Sequence, residues 1–279
     1  MRAPHVRLRR RPSRPLAAAG LVLLLVAGAA CGAKHKKNQP QLPPQQAYDL
    51  AMQRIAKKHY YTGRSMLQEL MPRVPPDDRE ILPRIQLGIA DAFFKDGGQL
   101  NYGEALNSYR SFLTYYPSHE EAARAQYMVG MSLFQQALSP DRDQALTLQA
   151  IAEFEKVETV YPASPFVEKA KAKVIECHNR LAEHERVVAR FYQKRKRYNA
   201  AIDRYRILLD RYPQYDHADQ VLFDIGSCLI KVGNRPEAEE FFTRLFQDYP
   251  KSKLSPRART ILDEFDREQK KAPAKEPKG

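Results

Sequence analysis

Five times along the chain a small residue is followed by a large apolar residue four positions on, by another three beyond that, and by a proline twelve after the first. The sets are Gly63/Leu67/Leu70/Pro75, Ala105/Tyr109/Phe112/Pro117, Ala150/Phe154/Val157/Pro162, Ala201/Tyr205/Leu208/Pro213 and Ala238/Phe242/Leu245/Pro250. Steps of four and three place the first three residues of each set on one helical face. The small residue admits a neighbouring helix, and the proline sits past the last turn, where it ends the helix without breaking it. In four sets a tyrosine precedes the proline: Tyr116, Tyr161, Tyr212 and Tyr249.

Each of these helices needs a partner, and several show. Tyr127, Gly130 and Leu133 precede the third set, Val188, Ala189 and Tyr192 the fourth, and Leu222, Ile225, Gly226 and Leu229 the fifth. A turn at Val232-Gly233-Asn234 joins that last pair. These preferences are those of the tetratricopeptide repeat, so the pattern predicts an all-α solenoid of about five helical hairpins. The small residues lie 42, 45, 51 and 37 apart, longer than the usual repeat of about 34. Residues 138–144 (LSPDRDQ) read as a loop between the helices of the third hairpin, and Pro165 to Arg197 as one long helical stretch with an interruption expected near Ala182–Glu185. Ser118, Ser164 and Ser252, just after the Tyr-Pro pairs, are expected to cap the helices that follow. Pro256 to Gln269 reads as a closing helix with Arg257, Arg259, Asp263 and Glu264 outward.

The start of the chain has a different character. Residues 1–14 are basic, residues 16–30 (LAAAGLVLLLVAGAA) are apolar but shorter than the roughly 20 residues that span a bilayer, and small residues lead to Cys31. A polar, proline-bearing stretch follows to residue 46. This order reads as a signal peptide and a flexible tether. Cys31 is either incidental or the site of lipidation, and its position favours lipidation. The similarity to a bacterial lipobox implies acyl chains on Cys31, with Gly28 standing where leucine is usual, and Gly32 implies sorting to the outer membrane. The domain expectation is therefore signal peptide 1–30, lipidated tether 31–46, N-terminal repeats 47–162, long helix with C-terminal repeats and closing helix 163–265, and a disordered tail 266–279.

Charge agrees with that division. The 279 residues carry 46 Lys+Arg against 33 Asp+Glu, a formal net charge of +13. Fourteen of those bases but three of those acids lie outside residues 47–265, so the body is close to neutral and a poor candidate for nucleic-acid binding. Its dense basic run is Lys194-Arg195-Lys196-Arg197, with Arg186, Arg190, Arg204, Arg206 and Arg211 nearby. This is either a solvated helix end or a surface for an acidic partner.

Catalytic motifs are missing from the sequence. Gly97-Gly98 has no phosphate-binding lysine behind it, no HExxH or paired CxxC occurs, and His178 and His184 are six apart, off a common face. The pairs Glu120-Glu121 and Glu239-Glu240 point apart on a helix and read as first-turn charges. Cys177 and Cys228 fall in different repeats, which favours buried free thiols over a disulfide. No enzyme, metal or cofactor is expected beyond covalent lipid on Cys31.

The segments ARAQYMVGMSLFQQ with PDRDQ (123–144), YPASPFVEKAKAKV (161–174) and LAEHERVVARFYQKRKRYNAAIDRYRILLDRYP (181–213) resemble the BamD family, tetratricopeptide lipoproteins of the outer-membrane β-barrel assembly complex. The likeness spans about residues 45–265, and the first repeat departs from it with Gly63 and Leu-Met-Pro-Arg-Val-Pro. It implies a non-enzymatic scaffold on the periplasmic side of the outer membrane, in its inner leaflet. The C-terminal repeats would bind the POTRA region of BamA, and the N-terminal repeats would take unfolded outer-membrane proteins or accessory lipoproteins. The resemblance puts the BamA contact on Arg195 and on Arg204, where Asp203 replaces the usual asparagine and can pair with its neighbour. The other reading is an envelope repeat protein coordinating peptidoglycan synthesis or Tol-Pal constriction. Residues 32–46 lack the coiled coil common in that group.

Overall fold

The computed structural model describes residues 41–271. They form eleven α-helices and no strand: α1 Pro44–Ala56, α2 Tyr60–Leu70, α3 Ile81–Asp96, α4 Gln99–Tyr115, α5 Ala122–Gln136, α6 Ala145–Val160, α7 Val167–Lys194, α8 Tyr198–Arg211, α9 Ala218–Lys231, α10 Arg235–Asp248 and α11 Ser255–Lys271. Each packs against the helices before and after it in the chain, so α1/α2 to α9/α10 are five stacked hairpins closed by α11.

The repeating face is the core. All fifteen small and apolar positions of the five sets are buried, with Ala105, Tyr109, Phe112, Ala201, Tyr205, Leu208, Ala238, Phe242 and Leu245 at 0% exposure. At two of the helical glycines, Gly63 and Gly130, a partner helix takes up the space of the missing side chain. A Cβ on Gly63 would lie 2.5 Å from Ile55 Cγ1, and one on Gly130 2.6 Å from the Phe154 ring.

The Tyr-Pro pairs terminate four helices in one way. Tyr116, Tyr161, Tyr212 and Tyr249 adopt φ near −130° and ψ between 56° and 65°. The following proline pushes each out of the α region. Their N–H groups still reach the carbonyls of Phe112, Val157, Leu208 and Leu245, and their own carbonyls accept from the residue three ahead. The first repeat, lacking Tyr-Pro, ends in a 3-10 turn over Met71–Arg73, and Asp78 Oδ1 accepts the N–H groups of Glu80 and Ile81 ahead of α3.

Several expectations are corrected. The helical body begins at Pro44, inside the expected tether: proline suits the first helical position, where its N–H would have no partner. α7 runs 28 residues without interruption at Ala182–Glu185. Leu181 faces the core of the third hairpin, Ala182 the core of the last two, and Glu183 and Glu185 pair with arginines. Ser164 and Ser252 do not cap helices. Their hydroxyls accept from the N–H of Phe166 and Leu254 within the turns, and the N-cap of α7 is Phe166, without a side-chain bond. Beside Ser118 the equivalent acceptor is His119 Nδ1. α11 continues to Lys271, past the expected boundary at 265. Residues 137–144 form the expected loop, tied to α7 by His184 Nδ1 against the Pro140 carbonyl at 2.6 Å.

Candidate functional site

Cys31 lies outside the described residues, as does the signal segment before it. Among the described residues no helix is long and apolar enough to cross a membrane, and no group of three metal-ligating side chains occurs. Cys177 and Cys228 are free and buried in separate cores, and burial pushes both thiols up to about 12. Two surface regions stand out among the described residues.

The basic run at the end of α7 resolves into three parts. At the C-cap of α7, the Arg195 guanidinium stacks 4.2 Å from the centre of the half-exposed Phe191 ring. On α8, Arg204 Nη1 lies 3.5 Å from Glu185 Oε2 of α7, leaving Arg204 45% exposed and Glu185 15% exposed. Asp203 pairs with Arg206 at 3.8 Å rather than with adjacent Arg204, because residues three apart meet on a helix and neighbours diverge. Arg206 also bonds Glu237 of α10. On a third side of α7, Arg186 forms a two-pronged pair with Glu183 at 2.6 and 2.7 Å. Burial works against the Glu183 charge, but bonds from Arg186 and Tyr215 hold its carboxyl below the usual range. The sequence run therefore overstates the free positive charge. Glu185 and Glu237 reach Arg204 and Arg206 from other helices, while Glu183 and Asp203 pair within their own.

A second surface lies among α1, α3 and α5. A cavity of about 490 Å³ is lined by Tyr48, Arg84, Asp91, Glu121 and Arg124 among others. Arg124 Nη1 holds Asp91 at 2.9 Å and its Nε bonds Glu121. Arg84 stacks 4.5 Å from the centre of the Tyr48 ring. The buried Tyr109 hydroxyl donates to Asp91, and burial together with that carboxylate raises the phenol. This network links α3, α4 and α5 at the floor of the groove. Sequence spacing does not reveal it, since Asp91, Tyr109 and Arg124 sit on three successive helices.

Comparison with known proteins places this architecture. Over 240 residues, 85% of this chain and 77% of the relative, the sequence is 25% identical to the outer membrane protein assembly factor BamD of Caulobacter vibrioides. Over 238 residues it is 26% identical to the protein of the same name from Rickettsia prowazekii, covering 85% of this chain and 92% of the relative. The Vibrio cholerae protein of that name is 28% identical over 193 residues, 66% of this chain and 78% of its own length. Residues 40–240, from the start of α1 into α10, match the YfiO family, described as an outer membrane lipoprotein, and the chain belongs to that family.

Proposed function

We propose that this protein is a non-enzymatic scaffold of the outer-membrane β-barrel assembly machinery, anchored by lipid on Cys31 in the inner leaflet of the outer membrane and facing the periplasm. Its C-terminal repeats bind the POTRA region of BamA, and its N-terminal groove receives unfolded outer-membrane proteins or accessory lipoproteins. The relatives' shared name, outer membrane protein assembly factor, supports the role.

The observation that carries the BamA contact is the edge where α7 meets α8. Arg195 on Phe191 is an exposed cation–aromatic pair, and Arg204 is half-exposed and steadied by Glu185. Arginine and aromatic side chains of this kind dominate binding energy at protein interfaces. A guanidinium already held by Glu185 loses little further freedom when a partner's carboxylate arrives.

The test is co-purification from mild detergent. A β-barrel partner bearing POTRA domains is expected with the wild-type chain. Arg204→Glu should weaken that association by about 2 kcal/mol while the helical signal is unchanged. Recovery of peptidoglycan synthases or Tol-Pal components in place of BamA would overturn the assignment.

A further inference from the structure

The stripe Arg186, Arg190 and Lys194 advances in steps of four along α7 and lies roughly 120° around the helix from Phe191 and Arg195. It faces α9 across a groove. α8 packs on both helices from behind and holds them apart. The groove consists of two cavities that share Arg186 and Gln220. One, of about 390 Å³, is lined by Arg186, Arg190, Gln193, Lys194, Gln220 and Asp224. The other, of about 500 Å³, continues to Lys251, Ser252 and Lys253 in the turn before α11.

We propose that this groove binds an extended acidic peptide segment, on a surface separate from the Arg195–Arg204 edge. Five bases line it, against Asp219 and Asp224. Arg190, Lys194, Lys251 and Lys253 have no ion-pair partner among the described residues, whereas Arg186 is held by Glu183. Both lining acids are engaged. Asp219 accepts from the Ser252 hydroxyl at 2.7 Å, and Asp224 accepts from Gln220 at 3.1 Å and, at 3.4 Å, shares the Tyr205 proton whose shorter bond goes to Gln193. The N-terminal groove differs, with three arginines against four carboxylates in its lining. Positive charge in excess is thus a property of the C-terminal groove.

Spacing favours an extended chain. Four helical residues rise about 6 Å. Side chains on one face of an extended strand recur every two residues, about 6.6 Å apart. Carboxylates at alternate positions therefore meet Arg186, Arg190 and Lys194 in register. Between these cations, Gln193 Oε1 is taken by the Tyr205 hydroxyl and Gln220 Nε2 by Asp224. The opposite ends of the two amides, Gln193 Nε2 and Gln220 Oε1, have no partner among the described residues and can meet a peptide carbonyl and N–H. A flat anionic membrane surface has no use for a recessed pair of amides.

Fluorescence anisotropy with labelled (Glu-Thr)4 and the full-length protein in detergent tests this. Binding is expected for (Glu-Thr)4 and not for (Gln-Thr)4. The double variant Arg190→Gln/Lys194→Gln should weaken it about tenfold or more. The control Lys57→Gln/Lys231→Gln removes the same charge from residues that line neither cavity, and should leave affinity within about twofold. Equal weakening by both double variants would reduce the effect to net charge and overturn the proposal. So would equal binding of the neutral peptide, or binding to phosphatidylglycerol vesicles with none to the peptide.

Discussion

The ring of Phe242 occupies the space a side chain on Gly226 would need: a Cβ there would stand 2.5 Å from Cε1, with two more ring carbons within 2.8 Å. The ring is fully buried and cannot swing away. Gly226→Ala should therefore destabilise the protein by about 1–2 kcal/mol, because overpacking costs about 1–3 kcal/mol and outweighs a helix-propensity gain of up to about 1 kcal/mol. Gly103 is the internal control. The nearest atom to its added Cβ is Gln136 Oε1 at 3.8 Å, so Gly103→Ala should stabilise by about 0.5–1 kcal/mol. Urea denaturation of the two variants should show opposite signs.

The close approach of helices was legible in the sequence because it repeats: small, large and large residues on one face, five times over, fix which side is buried. Other features were written in residues far apart in the chain. The polar stretch Glu183–His184–Glu185 looks like a break, yet each side chain has a partner, on α7 itself for Glu183, on α8 for Glu185 and in the 137–144 loop for His184. Pro44 looks like the end of a tether and is instead a helix start. The candidate site was half legible. Arg195 and Arg204 are exposed at the end of α7 and on α8; the pairs of Glu183 with Arg186 and Asp203 with Arg206 follow from local spacing, but Glu185 and Glu237 reach Arg204 and Arg206 from neighbouring helices, beyond it.

Three hairpin turns share a left-handed residue followed by a bond back across the helix end. Lys58 at φ 63°, Lys196 at φ 58° and Gly233 at φ 83° precede His59, Arg197 and Asn234, whose N–H groups reach the carbonyls of Arg54, Tyr192 and Leu229. Only glycine adopts this conformation without a Cβ penalty, which is about 1–2 kcal/mol. Lys196→Gly should thus raise stability by up to about 1 kcal/mol and Gly233→Lys should lower it by a similar amount. Thermal melts of the pair check the direction.

Two carboxyls on facing helices titrate in opposite senses. Burial raises the Asp224 carboxyl above its ordinary value of 3.8 despite bonds from Gln220 and Tyr205. The folded state then holds that proton more tightly than the unfolded chain, so this contribution is full below the unfolded pKa and is lost as pH rises through the folded one. Glu183 is held below its ordinary 4.5 by Arg186 and Tyr215, against the pull of burial. Its contribution is present above the unfolded pKa and is lost as pH falls through the folded one. Asp224→Asn should accordingly gain on the wild type as pH rises from about 4 to about 7, and Glu183→Gln should lose ground on it as pH rises from about 3 to about 5. Unfolding free energies at the two ends of each range give the signs directly.

The three cysteines allow lipidation to be read by counting thiols. Cys177 and Cys228 are 0% and 1% exposed, and burial pushes both up to about 12, so near neutral pH neither offers a thiolate or an accessible sulfur. Cys31 is the remaining thiol in the sequence. If it carries the lipid, its sulfur is a thioether, and protein extracted from membranes should show no fast reaction with Ellman's reagent. In denaturant the two buried thiols should then react. A fast-reacting thiol in the folded protein, with a third appearing in the denatured count, would mean an unacylated Cys31 and would remove the anchor from the proposed function. Cys31→Ser supplies the complementary measurement: it should release the protein from the membrane fraction while leaving the denaturation midpoint of the helical body unchanged.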